Sequence, residues 1–407
     1  MSTSLLYHGW GLRDYCHRGT RFEEGVVRFQ MVHREESLCC RACGSREVTK
    51  AGQVPRRFRG LPIGGKAVWI DLPVQRLACS ACGKTRQAKL SLADERRSYT
   101  HSFQRYVLDL SRHMTIQAVA SHLGVSWDLV KEMQKQNLQR RYKKPKLKRL
   151  QRIAIDEICI GQGPKYLTVV LDRESGAVVF VGEGKGADAL DPFWKRLRAA
   201  HARIEAVATD MSPAYIAAVQ THLPKAIHVF DRFHVVKLFH EKFALFRQAL
   251  QREAEGPLAQ QALKGTRWLL LKNPENLNDQ RDERQRLEAA LALNQPLATV
   301  YYMKEDLRQL WDQKDKPAAE RFLNDWIARA RASGIRMLQK FANTLGFHRR
   351  GLLNYYDCPI TTAALEGTNN KIKTMQRQAY GFRDQEFFKL KIYALHETTY
   401  ALALQRT

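Results

Sequence analysis

The sequence predicts a multi-domain α/β protein: an α/β catalytic core with a helical insertion, preceded by two small N-terminal modules. Three observations predict it. Paired cysteines recur before residue 83. From residue 152 the apolar residues gather into short strand-like runs. From about 235 to 350 those runs give way to Leu/Ala/Arg/Gln-rich helical stretches. At 407 residues the chain has room for two or three domains, each with its own core.

Apolar residues make up 44% and charged residues 27% of the composition, which is ordinary for a folded soluble chain and argues against extended disorder. The balance of charge is unusual. Lys and Arg number 67 against 41 Asp and Glu, a net +26. A field of that sign draws in polyanions and repels basic proteins, so nucleic acid is the expected partner. Arg13, Arg18, Glu23 and Glu24 interrupt the early apolar residues, so no secretion signal is read. Nor does any stretch approach the roughly 20 apolar residues that cross a bilayer, so no membrane role is expected. The expected location is the cytoplasm, at the nucleoid. In that reducing compartment metal ligation is favoured over disulfides for the eight cysteines.

Residues 1–95 are expected to form a zinc-ribbon DNA-binding domain. Cys40-Arg-Ala-Cys43-Gly44 and Cys79-Ser-Ala-Cys82-Gly83 share one design. Two intervening residues let both thiolates reach one ion, and the following Gly permits the positive φ that turns amides toward sulfur. Cys39 is an alternative to Cys40, and Cys16 with His17 is given no role. Ala67–Leu77 reads as strand, with Pro73 at an edge or bulge. So small a ribbon needs Zn²⁺ to hold together, and removing the ion is expected to unfold residues near 36–90.

Residues 96–140 are expected to form a helix-turn-helix domain. Val119, Leu123, Val125, Val130 and Met133 are apolar, Ala120 is small where two helices would cross, and Gly124 makes the turn. Ser126 caps the second helix, which presents Ser126, Trp127, Asp128 and Lys131 to a major groove. Residues 141–151 are a basic linker. Within Arg140-Arg-Tyr-Lys-Lys-Pro-Lys-Leu-Lys-Arg149, the cations Arg140, Arg141, Lys143 and Lys144 serve both a solvated tether and phosphate neutralisation.

Residues 152–234 are the first part of the core. Strands are expected at 152–160, 166–172, 177–181, 204–209 and 226–230, with helices near 188–200 and 213–222. Three strands followed by alternating helix and strand is the order of a ribonuclease-H-like α/β core. A helical insertion at 235–350 precedes C-terminal core helices at 351–407, the essential one at 362–377. Within the insertion, Arg267-Trp268-Leu-Leu-Leu-Lys272 is read as core packing, with base stacking by Trp268 as the alternative.

Asp156 sits mid-strand in Ile-Ala-Ile-Asp-Glu-Ile, Asp210 ends the strand Ala-Val-Ala-Thr, and Glu366 opens a helix whose Asn370 and Lys373 follow on one polar, basic face. Taken singly, each acid has a structural alternative: buried acceptor, helix N-cap and solvated helix charge. Together, on strand, strand and helix, they form a set able to hold Mg²⁺ or Mn²⁺ for in-line displacement at a phosphodiester. Asp231 and His234, after the next strand, are possible supporting groups around that site. Glu157 points to the opposite strand face and is excluded.

These residues together resemble transposases of bacterial insertion sequences, specifically the ISL-three family with its zinc ribbon, helix-turn-helix and DDE domain. The resemblance spans nearly the whole chain. It is sharpest at the four cysteines, Ala154-Ile-Asp-Glu157, Thr209-Asp-Met-Ser, Asp231-Arg-Phe-His234 and Glu366-Gly-Thr-Asn-Asn-Lys-Ile-Lys373 with Arg377 and Tyr380-Gly-Phe382. It implies that Asp156, Asp210 and Glu366 are the catalytic, metal-binding triad; Asn370, Lys373 and Arg377 are expected to meet DNA. It also implies cleavage and strand transfer at terminal inverted repeats, with target DNA as second substrate and a homodimer or higher oligomer as the working form. The rival readings are a DNA-binding repressor with an inactive catalytic domain and a structure-specific nuclease such as a junction resolvase.

Overall fold

A computed structural model describes residues 5–161, 163, 165–253, 266–292 and 294–396. The chain divides into two compact units, Met1–Arg140 and Arg141–Thr407.

In the first unit a short helix α1 (Leu5–Trp10) leads into β1 (Tyr15–Glu23), β2 (Val26–His33), β3 (Val48–Ile63), β4 (Lys66–Cys79) and β5 (Thr85–Gln87). The sheet runs β1-β2-β4-β3, with β5 also on β4. Alternation along β4 sends Val68, Ile70, Leu72 and Val74 to one face, where they meet Trp10, Phe29, Met31 and Phe58. No cysteine belongs to that core. The paired cysteines lie beyond it, at the end of the β3–β4 ladder where Val48 pairs with Cys79, beside a small cluster of Leu38, Leu77 and Ala88. The paired cysteines thus close one end of a five-stranded sheet that has an apolar core of its own, a larger unit than the small ribbon expected. Pro73 lies past the last β2–β4 pair at Asp71, at the local edge its missing N–H demands.

Three helices follow: α2 (His101–Leu110), α3 (Ile116–Leu123) and α4 (Trp127–Tyr142). Each start is fixed by a hydroxyl, since Thr100, Thr115 and Ser126 accept the backbone N–H of Phe103, Ala118 and Leu129. Gly124 ends α3 at φ +61, the left-handed conformation that favours Gly. Val119, Ala120, Leu123, Val130 and Met133 are buried together with Phe103 and Val107 of α2. Arg59 of β3 joins these helices to the sheet. It is 6% exposed, donates to the Leu123 carbonyl at 2.8 Å and lies over the rings of Trp69 and Phe103.

The second unit is built on β6 (Arg152–Cys159), β7 (Tyr166–Asp172), β8 (Val178–Glu183), β9 (Ala206–Thr209) and β10 (Ile227–Phe230). The order is β10-β9-β6-β7-β8. β6, β7 and β8 are antiparallel neighbours, and β9 and β10 run parallel to β6. Ile153, Ile155 and Val207 face α5 (Asp191–Ala199) and α6 (Pro213–His222) on one side of the sheet. The other side presents Ala154, Ile158 and Ala208 to the last two described helices, Ala363–Gln378 and Gln385–Tyr393. The basic linker is not the free tether expected. Leu147 and Leu150 are buried in the first of these clusters, and Arg196 donates to the Pro145 carbonyl at 3.0 Å.

Between β10 and those last helices lie α7 (Arg232–Glu253), α8 (Arg267–Leu271), α9 (Glu283–Ala292), α10 (Gln295–Arg308), α11 (Lys316–Ala332), α12 (Arg336–Phe347) and α13 (Arg349–Leu353). The last two helices are then α14 (Ala363–Gln378) and α15 (Gln385–Tyr393). Phe239, Phe243, Leu323, Trp326, Leu338 and Phe341 form the centre of this helical core. α7 runs unbroken through the expected boundary at 234/235; residues 254–265 of the expected helical insertion lie outside the described residues. Trp268 was expected in the core, yet it is 66% exposed while Leu269 and Leu270 are buried. On a helix this short only one side faces the core, and the leucines occupy it.

One glycine bears on the site. A Cβ on Gly351 would stand 2.3 Å from the Phe230 ring, and Phe230 immediately precedes Asp231. Gly351→Ala is expected to destabilise the second unit by about 1–3 kcal/mol. Urea unfolding checks it, and an unchanged midpoint contradicts the close packing.

Candidate active site and zinc centre

The four paired cysteines converge. Their sulfurs all lie within 4.8 Å of one another, with Cys40–Cys82 and Cys43–Cys79 both at 3.6 Å. A tetrahedron with Zn–S bonds of about 2.3 Å has sulfur–sulfur edges of roughly 3.8 Å, so the donor set fits a closed structural zinc. The two knuckles match as their sequences do. Gly44 and Gly83 take φ +79 and +66, and their N–H groups donate to the carbonyls of Cys40 and Cys79 at 2.8 and 2.9 Å. Cys40, not Cys39, is in the cluster, and Cys16 is outside it.

The acids of the second unit are set by strand register. β9 pairs with β6 as Arg152↔Ala206 through Ala154↔Ala208, so the same register carried two residues on sets Asp156 level with Asp210. β10 pairs with β9 to Phe230↔Thr209, which sets Asp231 level with both. Three aspartates are thus level across neighbouring strands, Asp156 within β6 and Asp210 and Asp231 just past the ends of β9 and β10, on the face that α14 covers. In open α/β sheets the carboxyl ends of the parallel strands are where ligands bind.

Asp156 is largely enclosed, with its side chain 14% exposed. One oxygen accepts the Glu157 amide at 2.8 Å. The other accepts Asn369 Nδ2 of α14 at 2.9 Å. His234 Nε2 stands 3.9 Å from the carboxylate. Burial pushes the Asp156 carboxyl up to about 6; His234 and the Glu157 amide oppose the rise, and the charges of Asp210 and Glu157 add to it. Asp210 is half-buried and accepts the Ser212 amide at 3.0 Å, a turn contact that leaves its second oxygen outside that bond. Glu366 is exposed in the first turn of α14, one turn before Asn369. Among the described residues only the cysteines bring three or more ligand atoms within 4.8 Å, so the three acidic side chains are not drawn into one tight cluster.

Asp231 is 2% exposed. Its two oxygens accept the amides of Phe233 at 3.1 Å and Thr362 at 2.9 Å, so it caps α7 and fixes the start of α14. Glu157 lies on the other face, where Tyr215 Oη donates to it at 3.4 Å, as strand alternation required. Of the residues expected at DNA, Ser126, Trp127, Arg140, Lys143, Lys144, Asn370, Lys373 and Arg377 are exposed; Lys131 and Arg141 are half-buried. Lys131 Nζ lies 5.6 Å from the Trp127 ring centroid.

Asn369 was not singled out from the sequence. The signal was available: Leu365, Asn369 and Ile372 fall on one helical stripe, and all three are buried, so an Asn there requires a polar partner.

DNA-reading helices and a zinc site ahead of an α/β unit with acids at its strand ends define an enzyme that acts on DNA. Comparison with known proteins makes the class specific. Residues 153–392 match a family described as "Transposase", residues 88–136 the "Helix-turn-helix domain of transposase family ISL3", and residues 37–82 the "zinc-finger of transposase IS204/IS1001/IS1096/IS1165". The transposase for insertion sequence element IS1001 of Bordetella parapertussis is 36% identical over 361 residues, 88% of each chain. The transposase for insertion sequence element IS1557 of Mycobacterium tuberculosis is 28% identical over 383 residues, 87% of this chain and 85% of that one. A Drosophila P element transposase strand transfer complex aligns with 60% of this chain and 76% of its own at 11% identity, with a TM-score of 0.31, too low to bear on the fold. The chain belongs to the ISL3 family of DDE transposases, DNA-binding enzymes that cleave and transfer DNA strands. Among the described residues no helix is long and apolar enough to cross a membrane.

Because the sheet core holds no cysteine, chelation is expected to remove one zinc per chain and loosen only the knuckle end, leaving the sheet folded. Elemental analysis and circular dichroism check it; loss of the strand signal on chelation would show the sheet to depend on metal.

Proposed function

We propose that this transposase recognises the terminal inverted repeats of its own element through the N-terminal unit and cuts and joins strands with Asp156, Asp210 and Glu366, which hold Mg²⁺ or Mn²⁺ in a ribonuclease-H-like core. The strand order, with three antiparallel strands followed by two parallel ones after helical crossovers, supports that core. The observation that carries the reading is the bond from Asn369 to Asp156. It holds the helix bearing Glu366 against the strand bearing Asp156, while register sets Asp210 beside it. Side chains one helical turn apart are roughly 5–6 Å apart at Cβ, and Glu366 is exposed, so its carboxylate can swing toward the two aspartates.

Bound Mg²⁺ or Mn²⁺ supplies activation of the attacking oxygen and charge stabilisation at the leaving oxygen of a phosphodiester. The three carboxylates hold that charge. Asn369 orients Asp156 by occupying one of its oxygens, and His234 faces the other. Asp231 fastens α7 to the start of α14 and so fixes the direction in which Glu366 approaches. Lys373 and Arg377, exposed further along α14, neutralise the phosphates of the bound strand. Joining both ends of an element to one target requires both ends to be held together, so a homodimer or higher oligomer on DNA is the proposed working form. The cytoplasmic nucleoid is its proposed location.

Asp156→Asn is expected to abolish cleavage of a duplex carrying the inverted repeats that flank the gene, with end binding nearly unchanged, because the substitution removes a metal ligand and no phosphate contact. Cleavage gels and electrophoretic shifts check it, and retained cleavage removes Asp156 from the site. Tight binding without nicking by the wild-type chain in Mg²⁺ would favour a repressor. Asn369→Ala is expected to lower cleavage about 10–100-fold, the usual effect of removing a group that orients a metal ligand. A rate within twofold of wild type would deny it that role.

A further inference from the structure

Helix α14 carries a second pattern besides its buried stripe. Glu366, Asn370, Lys373, Arg377 and Tyr380 recur at alternating intervals of four and three, which follows one face of the helix into the turn after it. All five are exposed, and Tyr380 is 100% exposed. The row begins at the catalytic acid, continues through two cations and ends on an aromatic ring.

Tyr380 is held there at a cost. Its φ is +51, a left-handed conformation that disfavours an L side chain by about 1–2 kcal/mol and that a glycine would take freely. The turn is fastened on both sides. The Tyr380 and Gly381 amides donate to the carbonyls of Arg377 and Gln376 at 3.1 and 2.9 Å, and Phe382 stacks on Phe388 at 4.6 Å. The Gln376 side chain donates to the Ile160 carbonyl, just beyond the strand that carries Asp156. A bulky ring in a strained, anchored turn, covered by none of the described residues, is shaped for a contact outside the chain.

We propose that Tyr380 stacks on an unpaired base of the DNA strand bound at the active site, with Lys373 and Arg377 carrying the intervening phosphates. This deepens the proposed function and rests on Asp156 and Glu366 marking the cleavage point. From Asn369 to the helix end at Gln378 is nine residues of helical rise, roughly 14 Å, or about four steps of a stacked strand at 3.4 Å each, and Tyr380 lies two residues further on. Only an unpaired or flipped base offers its face to such a ring, and base–aromatic stacking tolerates any sequence. The charge of the row selects DNA over a second copy of this basic chain.

The test uses the full-length Asp156→Asn protein, so that strand cleavage plays no part, and a mixed-sequence single-stranded oligonucleotide carrying 5-iododeoxyuridine. Photo-crosslinking followed by trypsin is expected to label the peptide Gln378–Arg383 at Tyr380. Adding Tyr380→Ala is expected to abolish that label and weaken binding of the oligonucleotide by about five- to 150-fold. Adding Tyr380→Phe, which keeps the ring, retains both, and blunt-duplex binding stays within twofold in either variant. Unchanged single-strand binding by the Ala variant, or a label absent from that peptide, overturns the proposal. So does a change confined to the oligomeric state, which would assign the ring to contact between copies. Retained cleavage by the Asp156→Asn protein would instead count against the triad and leave the crosslinking result to be judged separately.

Discussion

The hydrogen bond from Asn369 to Asp156 joins the first strand of the catalytic sheet to a helix that the chain reaches only after the whole helical insertion. A second bond, from the Thr362 amide to Asp231, ties the start of the same helix to the end of β10. Apolar contacts from Leu365 and Ile372 press α14 onto the sheet, but such contacts are non-directional. The two carboxylates fix where along the sheet the helix sits, and hence where Glu366 begins. Burying Asp156 is unfavourable for its charged form, as its raised pKa records. A position that disfavours its own charge is suited to a cation ligand, because a bound ion reverses the local electrostatics.

The sheet sets the other half of the geometry. β9 and β10 are each four residues long, just enough to carry Asp210 and Asp231 to the level of Asp156 without prolonging the ladder. Both strands then give way to helices, α6 and α7, and the amides of Ser212, just before α6, and Phe233, in the first turn of α7, donate to those same aspartates. Each acid therefore ends a strand and steadies a helix start at once. The helical insertion enters and leaves at this edge. α7 grows directly out of β10, and Gly351 of α13 meets Phe230 without room for a side chain, so the insertion's core and the acid-bearing edge are mechanically continuous.

In the first unit the metal site and the DNA-reading helices are attached to a common sheet by different means. The cysteines close one end of the β3–β4 ladder, whereas Arg59 reaches from β3 into the helical cluster. A buried guanidinium is tolerated because the Leu123 carbonyl and two aromatic faces surround it. It meets the end of α3 next to Gly124, the turn that sets the direction of the recognition helix.

Local chemistry was legible in the sequence wherever neighbouring residues suffice to produce it. Cys-x-x-Cys-Gly knuckles, the Ser126 cap, the Gly124 turn, the five core strands and the α14 helix are each fixed by spacing and propensity, and they lie where those features put them. What the sequence could not give depends on contacts far apart in the chain. Which of two adjacent cysteines enters the cluster is decided by the tertiary approach of the two knuckles, which brings the Cys40 sulfur within 3.6 Å of Cys82. The N-terminal sheet's own apolar core, the docking of Leu147 and Leu150, and the exposure of Trp268 are all decided by which apolar side finds a partner. The bond between Asp156 and Asn369 spans 213 residues, and register and packing, not pattern, bring those two atoms together.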